Sequence, residues 1–178
     1  MTEQKYLLPD WSVSLWFNTA NPISLSDLLG KVVVIEAFQM LCPGCVAHGL
    51  PLAQQVHDYF SKDDVVVIGL HTVFEHHEAM SPVSLEAFLH EYRITFPVGV
   101  DTPGRGTLPV TMERYSLRGT PSLLIVDTNG KLAGHYFGQV NPLRLGAEIG
   151  ALVARDSRQT EADSDSHSPG CDQEGCVA

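Results

Sequence analysis

Apolar residues fall into two kinds of pattern along the chain, and the elements follow from them. Val32-Val33-Val34-Ile35 is a β-branched run without polar alternation, as in a strand covered on both faces. It continues through Glu36-Ala37-Phe38 and ends just before Cys42. From Pro43 to Phe60 the pattern changes. Val46, Leu50, Ala53, His57 and Phe60 recur at three- and four-residue spacing, which predicts an amphipathic helix. Pro43 falls on its first turn, where a missing N–H costs nothing, and Pro51 lies inside it and predicts a kink. Val65-Val66-Val67-Ile68-Gly69-Leu70 is a second covered strand. Strand, helix and strand make a βαβ unit, hence a parallel pair with a right-handed crossover.

The flanking segments are less regular. Residues 1–31 predict an extended lead-in with a short strand near Ile23-Ser24-Leu25 and a helical turn at Ser26-Asp27-Leu28-Leu29. Ser81-Pro82 has the form of a helix cap and first position, followed by the stripe Leu85, Phe88, Leu89 and Tyr92. Phe96-Pro97-Val98-Gly99-Val100 is a brief strand, and residues 102–111, rich in Gly, Pro and Thr, a loop. Ser122-Leu123-Leu124-Ile125-Val126, the turn Asp127-Thr128-Asn129-Gly130 and the return Leu132 to Phe137 make a hairpin. Asn141-Pro142 opens a last helix whose core face is Leu145, Ile149, Leu152 and Val153. After Ala154 almost nothing is apolar. The expected organisation is one domain over 1–154 and a flexible acidic tail over 155–178, with a disordered linker at 155–170.

At 178 residues the chain is long enough for one domain with a full core. A net charge of -10 argues against nucleic acid or an anionic membrane as a main partner, since both require a positive field. The start, Met1-Thr2-Glu3-Gln4-Lys5-Tyr6, lacks the basic stretch and apolar run of a secretory signal, so the expected setting is cytoplasmic. Four cysteines occur as two close pairs, Cys42/Cys45 and Cys171/Cys176. In a reducing compartment such pairs are more often redox-active or metal-binding than structural.

The chemistry concentrates at Cys42-Pro43-Gly44-Cys45, where a covered strand gives way to a helix. At a helix N-terminus unpaired N–H groups and the dipole favour a thiolate, so Cys42 is the candidate nucleophile. Cys45, one turn on, is placed to attack a mixed disulfide and release reduced product. The alternative for this spacing is half of a zinc site, which requires two further ligands.

Residues 20–153 resemble the thioredoxin-like redoxins of the TlpA and AhpC/TSA (alkyl hydroperoxide reductase and thiol-specific antioxidant) superfamily. The resemblance rests on Leu28-Leu29-Gly30-Lys31-Val32-Val33, Cys42-Pro43-Gly44-Cys45, and Phe96-Pro97 followed by Asp101. Tyr115-Ser116-Leu117-Arg118-Gly119-Thr120-Pro121 and Asp127-Thr128-Asn129-Gly130-Lys131 complete it, in the same order and separation. It implies an α/β thioredoxin fold, a central mixed β-sheet flanked by helices, with an N-terminal extension and a βα insertion. It implies a cis bond at Thr120-Pro121 facing the cysteines, with Thr120, Pro121, Pro43 and Gly44 positioning substrate. It also implies a proton relay at Glu36, a carboxylate inside an apolar strand; the plainer reading is a wet strand end where Glu36 simply hydrogen-bonds. The sequence departs from the family in having Leu41 where a tryptophan is common and in placing Pro51 one residue late.

The implied activity is dithiol–disulfide exchange in cell redox homeostasis, on a disulfide-containing protein or small disulfide, with an upstream thiol reductant and no organic cofactor. Peroxide reduction is a second reading, although the peroxiredoxin pocket positions hold Ile35 and Gln39. Metal handling is a third. His71, His76, His77 and Glu78 cluster after the second strand, as a metal or gating site or as a polar loop of solvated imidazoles. Cys171 and Cys176 are read as a shuttle dithiol exchanging with Cys42–Cys45, as a metal capture site with or without His167, or as an inert appendage.

Overall fold

The computed structural model describes residues 7–165, with side chains to Arg155. The strands are β1 (Val13–Phe17), β2 (Val32–Phe38), β3 (Val65–His71), β4 (Val98–Asp101), β5 (Ser122–Val126) and β6 (Leu132–Phe137). The α-helices are α1 (Leu50–Tyr59), α2 (Pro82–Glu91), α3 (Val110–Arg114) and α4 (Pro142–Asp165). One mixed sheet runs in the order β1-β4-β3-β2-β5-β6. Strands β2, β3 and β4 are parallel, while β5 runs antiparallel to β2, β6 to β5, and β1 to β4.

Strand β2 is central and buried throughout, which explains its unbroken apolar run. Its alternate residues feed two cores. Val32, Val34 and Phe38 join Leu50, Ala53, Leu85, Leu89, Leu145 and Ile149 beneath α1, α2 and α4. Val33, Ile35 and Ala37 join Trp11, Leu25, Met112, Tyr115 and Leu117 on the other face. Burying a side chain of this class stabilises by about 1.5–3 kcal/mol, so the strand that leads into Cys42-Pro43-Gly44-Cys45 is held firmly.

Several elements differ from the sequence expectation. Ile23-Ser24-Leu25 is not a strand. Ser24 instead caps a 3-10 turn over Leu25–Leu28 through a reciprocal pair with Asp27. Strand β1 lies earlier, at the sheet edge, and is only half-buried. The expected loop at 102–111 is a loop over 102–109; its last two residues open α3, with Asp101 accepting from Thr111 N (2.8 Å) and Met112 N (2.9 Å). Helix α4 runs to Asp165, so the expected linker at 155–170 is helical over its first eleven positions. Arg155, Arg158, Gln159, Glu161 and Ala162 favour helix there, and no Gly or Pro interrupts it. His167, Cys171 and Cys176 lie outside the described residues. Among the described residues no helix is long and apolar enough to cross a membrane.

Candidate active site

Cys42 immediately precedes the first helical residue, Pro43, and its carbonyl accepts from Val46 N at 3.1 Å. The helix then widens. Cys45–Gly49 is a π-helical turn, with Leu50 N bonded five residues back to the Cys45 carbonyl. The expected single kinked helix from Pro43 to Phe60 is thus a π turn followed by α1, with Pro51 in the first turn of α1. Pro51 has no N–H to bond back into the preceding turn, and the π turn absorbs the one extra residue before it.

The two cysteines are free thiols in different surroundings. Cys42 is half-buried and its thiol donates to the Thr120 carbonyl at 3.4 Å. Burial alone would push the Cys42 thiol up. Hydrogen bonds from the Cys45 thiol and N–H, the Thr120 side chain and the Gly44 backbone outweigh it and hold Cys42 below the ordinary thiol value. Cys45 is 0% exposed, and burial, together with its bond to Cys42, pushes its thiol far up. The Thr120–Pro121 bond is cis. The Pro121 ring lies against Gly44, where an added Cβ would sit 3.2 Å from Pro121 Cδ. Gly44 and Thr120 therefore border the Cys42 sulfur, with Pro121 against Gly44 and Pro43 next in the chain. Leu41 and Phe137 are exposed beside this ground, with the Arg118 guanidinium 5.5 Å from the Phe137 ring centre and Gly119 beneath that ring.

Glu36 is 1% exposed, which removes the wet-strand-end reading. Its Oε1 has no hydrogen-bond partner, and burial followed by the charge of Cys42 raises its carboxyl well above the usual range. A Cβ on Gly49 would fall 2.1 Å from that oxygen. Gly49 was not among the residues singled out from sequence; a glycine inside an apolar helical pattern was the available signal. His48, beside it, was missed as well and had no signal of its own.

The histidine cluster separates. His71 belongs to β3, is 1% exposed, and packs on Phe38 with ring centres 5.2 Å apart, so it is not a solvated loop imidazole. Neither ring nitrogen has a partner, and burial lowers it to about 4. His76, His77 and Glu78 are exposed. Among the described residues no three His, Cys, Asp or Glu side chains are placed to hold a metal ion. Ile35 is core, and the buried Gln39 accepts from Phe74 N (3.3 Å) and donates to Glu75 (3.4 Å), tying the loop after β3 to the motif.

Comparison with known proteins agrees with this architecture. A thioredoxin-like superfamily protein of known structure is 63% identical, with a TM-score of 0.81, over 82% of this chain and 95% of that one. A thiol-disulfide isomerase from Corynebacterium glutamicum is 48% identical, with a TM-score of 0.79 and the same coverage. NHL repeat-containing protein 2 of Gallus gallus is 39% identical over 147 residues, 80% of this chain. The chain spans only 19% of that relative's length. The fold is the thioredoxin fold. Since the model of the AhpC/TSA family matches residues 6–135, from the lead-in through the cysteine motif and the Thr120–Pro121 turn into β6, the chain belongs to the AhpC/TSA family.

Proposed function

We propose that the protein is a thiol–disulfide oxidoreductase acting through Cys42-Pro43-Gly44-Cys45. One observation carries the reading: two thiols one helical turn apart are driven in opposite directions, Cys42 down and Cys45 up. The accessible sulfur is the one favoured as thiolate, the form that attacks disulfides. Cys42 attacks one sulfur of a substrate disulfide, and the electron pair of the broken S–S bond leaves with the other. Cys45 then attacks Cys42 and releases the second substrate thiol, its proton passing to Glu36. An upstream thiol reductant restores the pair. The substrate is a disulfide-bearing polypeptide or small disulfide lying over Thr120 and Pro121, next to exposed Leu41 and Phe137. Peroxide reduction lacks comparable support, since the buried Gln39 and Ile35 offer no hydroxyl beside Cys42.

Trapping tests the assignment. Cys45→Ser should accumulate a mixed disulfide at Cys42, seen as an adduct by intact mass. Cys42→Ser should lose disulfide reductase turnover by at least ~10³-fold, as expected when a covalent nucleophile is removed. Turnover that survives Cys42→Ser defeats the proposal.

A further inference from the structure

Cys45 and Glu36 are both sealed from the front of the site, Cys45 by the core and Glu36 by the π turn. Beside Glu36 lies a cleft of about 170 Å³ between the π turn with α1 and the segment from Gly138 to Pro142. Glu36 and Gly49 border its inner part; His48, Gln55 and Gln139 supply polar edges. Glu36 and His48 are the titratable groups among its lining residues. One buried water needs about 10–15 Å³ and two to four polar partners, so the cleft accommodates several. The unpartnered Glu36 Oε1 lies where the missing Gly49 side chain would be, so the carboxyl abuts the glycine that borders the cleft.

We propose that this cleft is a back exit for protons from Glu36, with His48 at its rim as the group that accepts them. The proposal rests on the exchange reaction above and concerns its timing. In the reduced protein the Cys42 charge helps keep Glu36 protonated. When Cys42 enters a mixed disulfide that charge disappears, and Glu36 can release its proton. At that moment substrate covers Cys42, Thr120 and Pro121, so the proton leaves through the rear. Imidazole is the side chain suited to such shuttling. Glu36, now a carboxylate, takes the proton of Cys45 as its sulfur attacks Cys42, and the substrate sulfur departs with the bonding pair. One proton goes to solvent through the cleft, and the released substrate thiolates are protonated by solvent.

The test uses the full-length chain carrying Cys171→Ser and Cys176→Ser, so that only Cys42 and Cys45 report. The reduced protein is mixed rapidly with a chromogenic nitrobenzoate disulfide. The first thiolate released reports attack by Cys42, and the second reports resolution by Cys45. His48→Ala should leave the first phase unchanged and slow the second about tenfold, at the low end of general acid–base effects. Imidazole added to the buffer should restore the second phase, and His48→Gln should behave as His48→Ala does. A second phase that is unchanged, that slows without response to imidazole, or that slows together with the first overturns the exit. Failure of the underlying reaction looks different: with His48 intact there would be no second phase and no Cys42–Cys45 bridge by mass.

Discussion

At the scale of single residues, the chemistry depends on what touches two sulfurs. Cys42 is held below the ordinary thiol value against its own partial burial, and part of that effect comes from the Thr120 side chain. Alkylation of Cys42 by iodoacetamide, followed against pH, should therefore show a midpoint below that of a free thiol. Thr120→Val should move the midpoint up, while Thr120→Ser should keep it near the parent. An unmoved midpoint in Thr120→Val means that the Cys45 contacts suffice alone. These residues were legible in the sequence because each bears its own mark: a vicinal pair at a strand end, a proline opening a strand, a carboxylate in an apolar run. Gly49 and His48 were not legible. Gly49 meets Glu36, and His48 the cleft beside it, through a π turn that shifts the register by one residue; Pro51, one residue late, marks that shift but not which side chains it moves. His71 was grouped with His76 and His77 by adjacency, whereas the strand continues one residue further than its apolar letters and carries His71 into the core.

At the scale of elements, the π turn and β2 are fitted to each other. A side chain at Gly49 would meet Glu36 Oε1 at 2.1 Å and Pro121 Cβ at 3.0 Å. Gly49→Ala should therefore destabilise the protein by about 1–3 kcal/mol in urea unfolding, the usual cost of overpacking a filled core. Glu36→Ala empties the space on one side of that clash. The double variant should be more stable than the sum of the single effects implies, with a coupling of about 1 kcal/mol or more. Additive effects would show that the contact is relieved elsewhere. Covered strands and capped helices read well from sequence: β2, β3, β5, β6 and α2 need only their own letters. Strand β1 was missed because an edge strand, half-exposed and with an irregular register at Val13 and Leu15, lacks both the covered run and the clean alternation. Helix α3 was missed because its N-terminus is capped by the distant Asp101 rather than by a local residue. The length of α4 was underestimated because low hydrophobicity was equated with disorder, although the stretch from Arg155 to Asp165 contains no Gly or Pro and carries Arg155, Arg158, Gln159, Glu161 and Ala162 among its Asp, Ser and Thr residues.

For the whole molecule, the two buried titratable groups on neighbouring central strands pull stability in opposite directions with pH. His71 in β3 is neutral in the folded protein down to about 4, against 6.5 ordinarily. As pH falls below 6.5 the unfolded chain gains a proton that the folded protein refuses, and stability drops by about 3 kcal/mol before pH 4. Glu36 in β2 behaves inversely, holding its proton above the ordinary value of 4.5. As pH rises past 4.5 the unfolded chain loses a proton that the folded protein keeps. Stability then declines at up to about 1.4 kcal/mol per pH unit until Glu36 itself ionises. Asp101, also raised by burial, adds in the same sense. From pH 4.5 upward, for as long as Glu36 keeps its proton, the His71 and Glu36 slopes oppose each other; the His71 slope ends at about 6.5, and the lowered Cys42 thiol adds a rise of its own toward the ordinary thiol range. Urea unfolding against pH should thus give a broad maximum in mildly acid solution, with a fall above it for as long as Glu36 keeps its proton. Glu36→Gln should stabilise the protein at neutral pH and leave a curve that rises to 6.5 with His71 and then flattens. His71→Leu, apolar against Phe38, should remove the acid limb and leave a curve that declines from 4.5. A Glu36→Gln curve parallel to the parent at neutral pH would mean that the carboxyl is ionised in the folded state. The proton exit through the cleft would then fail with it, because a carboxyl already ionised at that pH has no proton to release when Cys42 is capped by substrate, although it could still accept the proton of Cys45.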